Sequence, residues 1–513
     1  MLPPFPPQHP CAFPEAAPKR LRGTPPPRLR AVILTLAACL TVFAARLVAA
    51  DAPLPASPPA APPPAAPAAA PDDPPPATET ATNLFGNLGG LRPWLANRGV
   101  SFNLTEIDEL WSNLSGGTRR GGDFDGLTTL TVDLDADQAF HWPGATFHLS
   151  ALQIHGRSIT ADDLATLYAV SNIEADGATR LWELWFQQSF AADRADLKLG
   201  LQSVDQEFLV SEYSSLFLGA QFGWPVVPSD ALYGGGPIYP LASLGARLQL
   251  HPADPLCLLL GAFDDNPAGG PFDDDSALHG AEDSGLRFNL NTGTLYIAEL
   301  QFAINQPPAD ADSSAAAGAG AAGLPGAYKL GVWYDTAGFP DQRFDTLGRS
   351  LADPASNGVA RTHRGDFSLY ALADQTVWQA AAGPRSLAVF ARLMGAPADR
   401  NPVDWCADFG LNLKAPFAAR PNDSLGLGCG LAHISPRAAA LDRDTARFSG
   451  AFYPVRRLEQ SFEFTYQCQA AWLLIQPDLQ YVLRPGGGLP DPIHSTRRIG
   501  DEFILGARTV VTF

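Results

Sequence analysis

The sequence predicts an all-β chain: a transmembrane, antiparallel, up-and-down β-barrel of sixteen strands. Three observations carry this prediction. From about residue 100 onward, segments of about 9–13 residues alternate apolar and polar side chains. Such alternation puts the two kinds on opposite faces of a sheet, and that length crosses a bilayer at a tilt. Aromatic residues gather at segment ends, at Trp111, Phe140-His141-Trp142, Trp378 and Trp472, as an interfacial girdle requires. Short turns (142–144, 191–196, 251–255, 380–385) alternate with long polar loops (157–179, 205–243, 336–365, 435–457, 484–500), the asymmetry of periplasmic turns and extracellular loops.

Composition excludes several other classes. Only 17% of the 513 residues are charged, against about 25% in an average soluble protein. With 47 Gly and 48 Pro, long uninterrupted helices are disfavoured. The formal charge is −18, and omitting the first fifty residues leaves 29 basic and 52 acidic groups, a net of −23. That balance argues against nucleic acid, whose phosphates need Lys and Arg. A helical membrane bundle is excluded because only one apolar run approaches helix-spanning length.

That run, residues 31–50, follows Lys19, Arg20, Arg22, Arg28 and Arg30 and ends at Val48-Ala49-Ala50. A basic region, an apolar core and a small-residue end read as a secretory signal over residues 1–50. An uncleaved anchor and a lipid-modified Cys39 are the rival readings. Residues 51–82 form a spacer: 12 Pro and 10 Ala fall within 51–80, a composition that favours extended polyproline II over a packed core. Residues 83–513 hold the barrel. Cys257, Cys406, Cys429 and Cys468 lack any CxxC or Cys/His cluster, so free thiols are expected, with Cys406 and Cys429 on opposite faces.

Candidate strands start near Val100, Leu127, Ala145, Arg180, Leu197, Gly245, Leu256, Gly285, Thr294, Ala327, Asp366, Ser386, Asp404, Ser424, Leu458, Trp472 and Glu502, seventeen in all. With both termini in the periplasm the number must be even. The segment 285–291 is therefore read as loop or as a bulged extension, and sixteen strands enclose an aqueous channel. Parity assigns the faces. In 180–190, Trp182, Leu184, Phe186 and Phe190 fall on the lipid side and Glu183, Gln187 and Ser189 on the other. In 296–304, Tyr296, Ala298, Leu300 and Phe302 alternate with Ile297, Glu299 and Gln301. In the last segment, Phe503, Leu505, Ala507, Val511 and Phe513 share a parity that excludes Glu502 and Arg508. Closure is the physical reason for the fold, because a sheet edge cannot be satisfied in lipid.

From Leu84 to Phe513 the chain resembles the OprB-type carbohydrate-selective porin family of Gram-negative outer membranes. The strings that carry the likeness are Trp142-Pro143-Gly144, Ile154-His155-Gly156, Arg180-Leu181-Trp182-Glu183-Leu184-Trp185, Phe208-Leu209-Val210-Ser211 and Phe222-Gly223-Trp224-Pro225. They continue with Gly235-Gly236-Pro237-Ile238-Tyr239-Pro240, Gly245-Ala246-Arg247, Gly326-Ala327-Tyr328-Lys329-Leu330-Gly331, Gln476-Pro477-Asp478-Leu479-Gln480-Tyr481 and the terminal Phe. The spacer, the long basic region and an insert at 315–323 depart from the family pattern. The resemblance implies a barrel narrowed by inward-folded loops that passes sugars passively. It also implies that Phe513 is read by the barrel-assembly machinery.

A sugar offers hydroxyls and apolar C–H faces, so a selective pore needs hydrogen-bonding groups and aromatic surface without a tight trap. The candidates on lumen parity are Glu183, Trp185 and Gln187 on one strand and Lys198 and Gln202 on the next. Asp205 and Glu207 stand at the loop entrance, Arg247 across it, and Glu299 and Trp333 on later strands with Lys329, Tyr370 and Arg392. The loop 205–243 is the expected constriction, with a short helix over 207–218. Glu and Arg on facing walls would set up a transverse field.

The loop 263–283 carries seven acids but lacks the D-x-D-x-D-G spacing of a calcium loop. No metal site, cofactor or enzymatic activity is expected. The functional expectation is a passive channel for small sugars in the outer membrane, contacting lipid and lipopolysaccharide, as a monomer or homotrimer. The alternatives are a less selective porin for solutes such as organic acids, and a barrel that tethers the envelope through its spacer.

Overall fold

Each alternating segment pairs antiparallel with the next, and the last pairs with the first, so the sheet has no edge. The computed structural model describes residues 83–270, 284–306, 323–494 and 496–513. The signal segment 1–50, the spacer 51–82 and most of the acidic loop and of the 315–323 insert lie outside the described residues. Sixteen strands are found among those described. The first eight are β1 (Val100–Ser115), β2 (Gly121–Asp135), β3 (Ala145–Gly156), β4 (Ala178–Phe190), β5 (Ala195–Gln202), β6 (Ser243–Ala253), β7 (Leu256–Asp264) and β8 (Thr294–Ile304). The rest are β9 (Gly326–Asp345), β10 (Ala360–Gln379), β11 (Ser386–Gly395), β12 (Val403–Lys414), β13 (Ser424–Ile434), β14 (Leu458–Ala470), β15 (Leu473–Leu483) and β16 (Glu502–Thr512). Closure runs from Thr105 opposite Thr512 to Ser115 opposite Phe503.

Residues 285–291 form no strand, as the even-number rule requires. The expected loop 336–365 is instead mostly hairpin. β9 and β10 stay paired beyond the barrel rim, with Thr362 opposite Pro340 and Ala360 opposite Asp345. Polar, Gly- and Pro-containing sequence hid these strand extensions.

Among the described residues six short helices lie before or between the strands: α1 (Leu91–Ala96), α2 (Ala136–Phe140), α3 (Ile159–Asp163), α4 (Ala220–Gly223), α5 (Val226–Ala231) and α6 (Pro436–Ser449). The longest, α6, follows sequence rules. Ser435 Oγ accepts from Ala438 N at its start, Pro436 occupies the first turn, and Gly450 closes it at φ 65°, where a side chain would be strained.

Outward positions carry large apolar residues that are exposed, among them Leu184, Leu199, Tyr296, Leu330, Leu369, Leu393, Phe409, Leu427 and Phe464. A band this continuous exceeds what a soluble monomer leaves in water and is the lipid-facing surface of a membrane barrel. Phe140 and Trp142 stay exposed at the β2–β3 turn, as a girdle demands. Cys406 is buried and faces inward with Asp408, whereas Cys429 lies opposite outward-facing Phe409, and the four described cysteines are free.

Two aromatic assignments need correction. Trp111 is inside the barrel, buried with Ile159, Leu164 and Val170, and its Nε1 donates to Glu109. Trp182 also turns inward. The β3–β4 register shifts between Leu149/Leu184 and Ala151/Leu181, and this bulge swaps the parity of the strand end. Trp182 Nε1 then donates to Leu241 O of an inner loop, and its ring meets Tyr239.

Candidate functional site

Two long loops fold into the barrel and line most of its inner wall. The β5–β6 loop (203–242) is held strand by strand. Glu299 on β8 accepts Leu209 N at 2.8 Å, and Lys329 on β9 donates to Val210 O at 2.7 Å. Asp374 on β10 accepts Ser211 Oγ and Glu212 N. Arg392 on β11 donates to the carbonyls of Leu209, Gln221 and Gly223 while pairing with Asp408. Glu463 on β14 accepts Leu218 N and Gly219 N at 2.6 and 3.0 Å, and Gln476 on β15 donates to Leu216 O.

The wall beneath this loop is shaped to receive it. β13 places Gly426, Gly428 and Gly430 on its inner face. A Cβ at Gly428 would lie 2.6 Å from Phe222 Cζ, and one at Gly426 would lie 2.9 Å from Phe217. Phe217 and Phe222 pack on each other and on Phe390. Helix α5 buries Val226, Val227 and Ala231 against Cys406, Met394 and Trp333.

The β3–β4 loop (157–177) covers the adjoining arc. Glu502 accepts Ala165 N, Glu459 accepts Leu167 N, and Gln480 donates to Val170 O. Arg508 reaches Asn172 while paired with Glu109. The two loops also bond to each other, through Asn172 N to Leu218 O and Ala220 N to Ala169 O. Together they occupy the wall from β8 round to β1 and leave the periplasmic half of β2–β6 facing water. There Thr131, Asp133, Thr146, His148 and Gln187 remain partly exposed.

That open wall is where six of the expected residues converge. Trp185 on β4 stacks on His148 of β3 at 4.7 Å and 9°, and Lys198 of β5 lies over its ring at 4.1 Å. Lys198 pairs with Glu207 at the loop root. Arg247 on β6 pairs with both Asp196 and Glu207 and donates to Gln187 Oε1 at 3.1 Å. Glu183 accepts Ser203 N at 2.9 Å and stands 3.8 Å from His148 Nε2. Gly200 lies opposite Trp185, where a Cβ would come within 2.7 Å of Trp185 Cα.

The other four expected residues hold the architecture. Gln202 donates to Gly245 O. Asp205 ties the two ends of the loop, accepting from Ser203 Oγ, Gln206 Nε2 and Tyr239 N. Glu299 is fully buried and takes Tyr370 OH besides Leu209 N. Trp333 is 1% exposed, in the cluster beneath α5 rather than in water. The helix expected over 207–218 is replaced by one 3-10 turn, Ser214–Leu216, with α4 and α5 following. Nor do Arg247 and Glu207 face each other across the lumen. They pair on one wall, so the transverse field expected from them is cancelled locally.

Two loop carboxyls show the electrostatics of this packing. Burial pushes Glu207 upward, but its bonds to Arg247 and the charge of Lys198 outweigh it and hold the carboxyl below its ordinary value. Burial dominates at Glu174, raising it to about 7 although Ser158 and Thr160 donate to it. Residues missed from sequence include His148, Asp133, Arg508 and the β3–β4 loop. His148 was discoverable, since it shares lumen parity with Thr146 and Ser150.

An apolar outer band, a polar interior and loops folded inward to narrow the passage define a porin, a diffusion channel of the Gram-negative outer membrane. The chain belongs to the OprB family of carbohydrate-selective porins, whose family model matches residues 119–513. It is 26% identical over 424 residues to Porin B of Pseudomonas aeruginosa, covering 79% of this chain and 87% of that one. It is 24% identical over 456 residues to the putative porin QuiX of Acinetobacter baylyi, covering 84% and 93%. The high-pH structure of Pseudomonas putida OprB superposes with a TM-score of 0.72 at 24% identity, covering 84% of this chain and 99% of that one.

Proposed function

We propose that the channel carries small, neutral sugars into the periplasm by selective passive diffusion, along the wall formed by β2 to β6. The observation that supports this is the charge balance of the cluster. Lys198 and Arg247 are matched by Glu207 and Asp196, so both cations of the strip are neutralised where they stand, and Glu183 and Asp133 beside His148 add hydrogen-bond acceptors. An anion finds no free cation in it. A hydroxylated neutral solute exchanges hydrogen bonds with each group in turn and is released, which is the condition for flux. Trp185 Nε1 and His148 Nε2 have no hydrogen-bond partner, and buried groups of that kind are completed by water or a solute hydroxyl.

The remaining elements fit the same reading. Residues 1–50 direct secretion, residues 51–82 act as a periplasmic spacer, and Phe513 is the handle for barrel assembly. Liposome swelling with a panel of mono- and disaccharides, organic acids and amino acids tests the proposal. Sugars are expected to enter faster than organic acids of equal size. Equal rates for all solutes of one size would remove the selectivity.

A further inference from the structure

Two of the seven acids in the segment 263–283 are folded into the barrel wall. Asp264 ends β7 and Asp265 follows it. They gather with Asp335 of β9 and Asp366 of β10, which stand opposite each other in the ladder. The place is the extracellular rim, where Tyr296, Tyr334 and Phe367 are exposed on the outer face in the manner of an interfacial belt. Asp265, Asp335 and Asp366 are fully buried, and Asp264 is 9% exposed. Asp265 Oδ1 accepts Gly293 N at 2.9 Å, and Asp335 Oδ1 accepts Ala337 N at 2.8 Å. Asp366 Oδ1 accepts Phe367 N and the Nδ2 of buried Asn401. The Oδ2 atom of each of these three aspartates has no partner, and neither has Asp264 Oδ1 or Asn401 Oδ1. The Asp265 and Asp335 carboxyls lie within hydrogen-bonding reach of each other. Gly293 keeps the space beside them open: a Cβ there would lie 2.7 Å from Asp265 Oδ2 and 2.9 Å from Thr336 Oγ1.

A buried carboxylate needs donors for its oxygens and a positive charge to offset its own. Elsewhere the barrel supplies one or the other. Glu459 and Glu463 have both oxygens filled by loop N–H groups, and Asp408 has Arg392. At the rim, no Lys, Arg or His among the described residues forms an ion pair with any of the four acids. Arg400, whose charge reaches Asp366, is committed to Asp399. A single proton shared by Asp265 and Asp335 would settle that one contact and leave the other oxygens orphaned. Water would fill the oxygens and leave the charge. A hard divalent cation does both, since it takes six to eight oxygen ligands, carboxylates and waters among them. We infer that a calcium-type cation binds between Asp265 and Asp335, with Asp264, Asp366 and Asn401 holding its bound waters. The spacing of a calcium loop is not needed here, because the ligands come from separate elements that the fold brings together. The ion would clamp the start of the β7–β8 loop to the root of the β9–β10 hairpin.

Isothermal titration of the folded, detergent-solubilised chain with calcium chloride, after chelator treatment, tests the site. One calcium per chain is expected, with a Kd of about 0.1–1 mM, the range of extracellular calcium modules. Asp265→Asn together with Asp335→Asn should weaken binding at least tenfold. Asp273→Asn, Asp274→Asn and Asp275→Asn together should leave it intact, because these acids of the same segment form no part of the site. Heat-modifiable migration checks that each barrel is folded and gives a second readout. Calcium should raise the unfolding temperature of the wild type and of the triple variant, as a ligand of the folded state does, and should not raise that of the double variant. Absence of saturable uptake, uptake that survives the double substitution, or uptake lost in the triple variant each overturns the proposal. Should the double variant not fold, Asp265→Asn alone is read in the same way.

Discussion

At the scale of single residues, Trp185 works through what it positions. Its ring is flanked by His148 and Lys198, so its flat face holds a cation in place. A cation–π contact at a partly buried site is worth about 1 kcal/mol, or about a fivefold change in how often Lys198 occupies that position. Trp185→Ala and Glu183→Ala are each expected to lower sugar flux by several-fold and KCl conductance by much less. Flux by liposome swelling and conductance in planar bilayers give the ratio, and an unchanged ratio removes both residues from the path. Glu174 supplies a pH test. Its folded-state carboxyl is raised to about 7 by burial, so its stabilising contribution is complete below the unfolded value near 4.5 and fades as pH rises through 7. The β3–β4 loop should therefore be held more firmly at pH 5 than at pH 8. Open-channel current noise is expected to increase above pH 7, and Glu174→Gln, which keeps the protonated shape, should abolish that increase.

Between strand and loop, the decisive feature is the row of anchors that fixes the β5–β6 loop. Arg392 is the strongest of them, joining Asp408 and three loop carbonyls while almost fully buried. Removing one partner of a buried pair strands the other and costs about 3–5 kcal/mol. Arg392→Met is expected to release the loop from β11, at least double the single-channel conductance, and erase discrimination among sugars, with heat-modifiable migration showing that the barrel persists. Gly428→Val should act similarly by driving a side chain into Phe222. The strands were legible in the sequence because period two survives wherever one face meets lipid and the other meets water. The loop path was not. Glu299, Asp374, Arg392, Glu463 and Gln476 look like ordinary water-facing wall residues, and only their partners, more than eighty residues away in sequence, make them anchors. Alternating Gly426, Gly428 and Gly430 was the readable sign that something packs on that wall. The β4 bulge was hidden for a different reason: one extra residue flips Trp182 inward without disturbing the composition of the segment.

At the scale of the whole molecule, charge is distributed so that the passage and its surroundings differ. The full chain carries −18, and −23 without its first fifty residues, yet both cations of the cluster along β4 to β6 are paired locally. The excess negative charge is expected to act at long range, as a field that raises the local concentration of cations. Such a field reaches about 10 Å in 0.1 M salt and about 3 Å in 1 M salt. Mild cation preference is accordingly expected from reversal potentials under a dilute KCl gradient, and the preference should vanish when both sides are raised to molar salt. Anion selectivity would contradict the charge assignment outright. Cation selectivity that persists at molar salt would make Asp133 or Glu183 a fixed charge in the narrowest part of the path, and the account of neutral-sugar passage would then fail, because a fixed charge at close range is not screened by bulk ions.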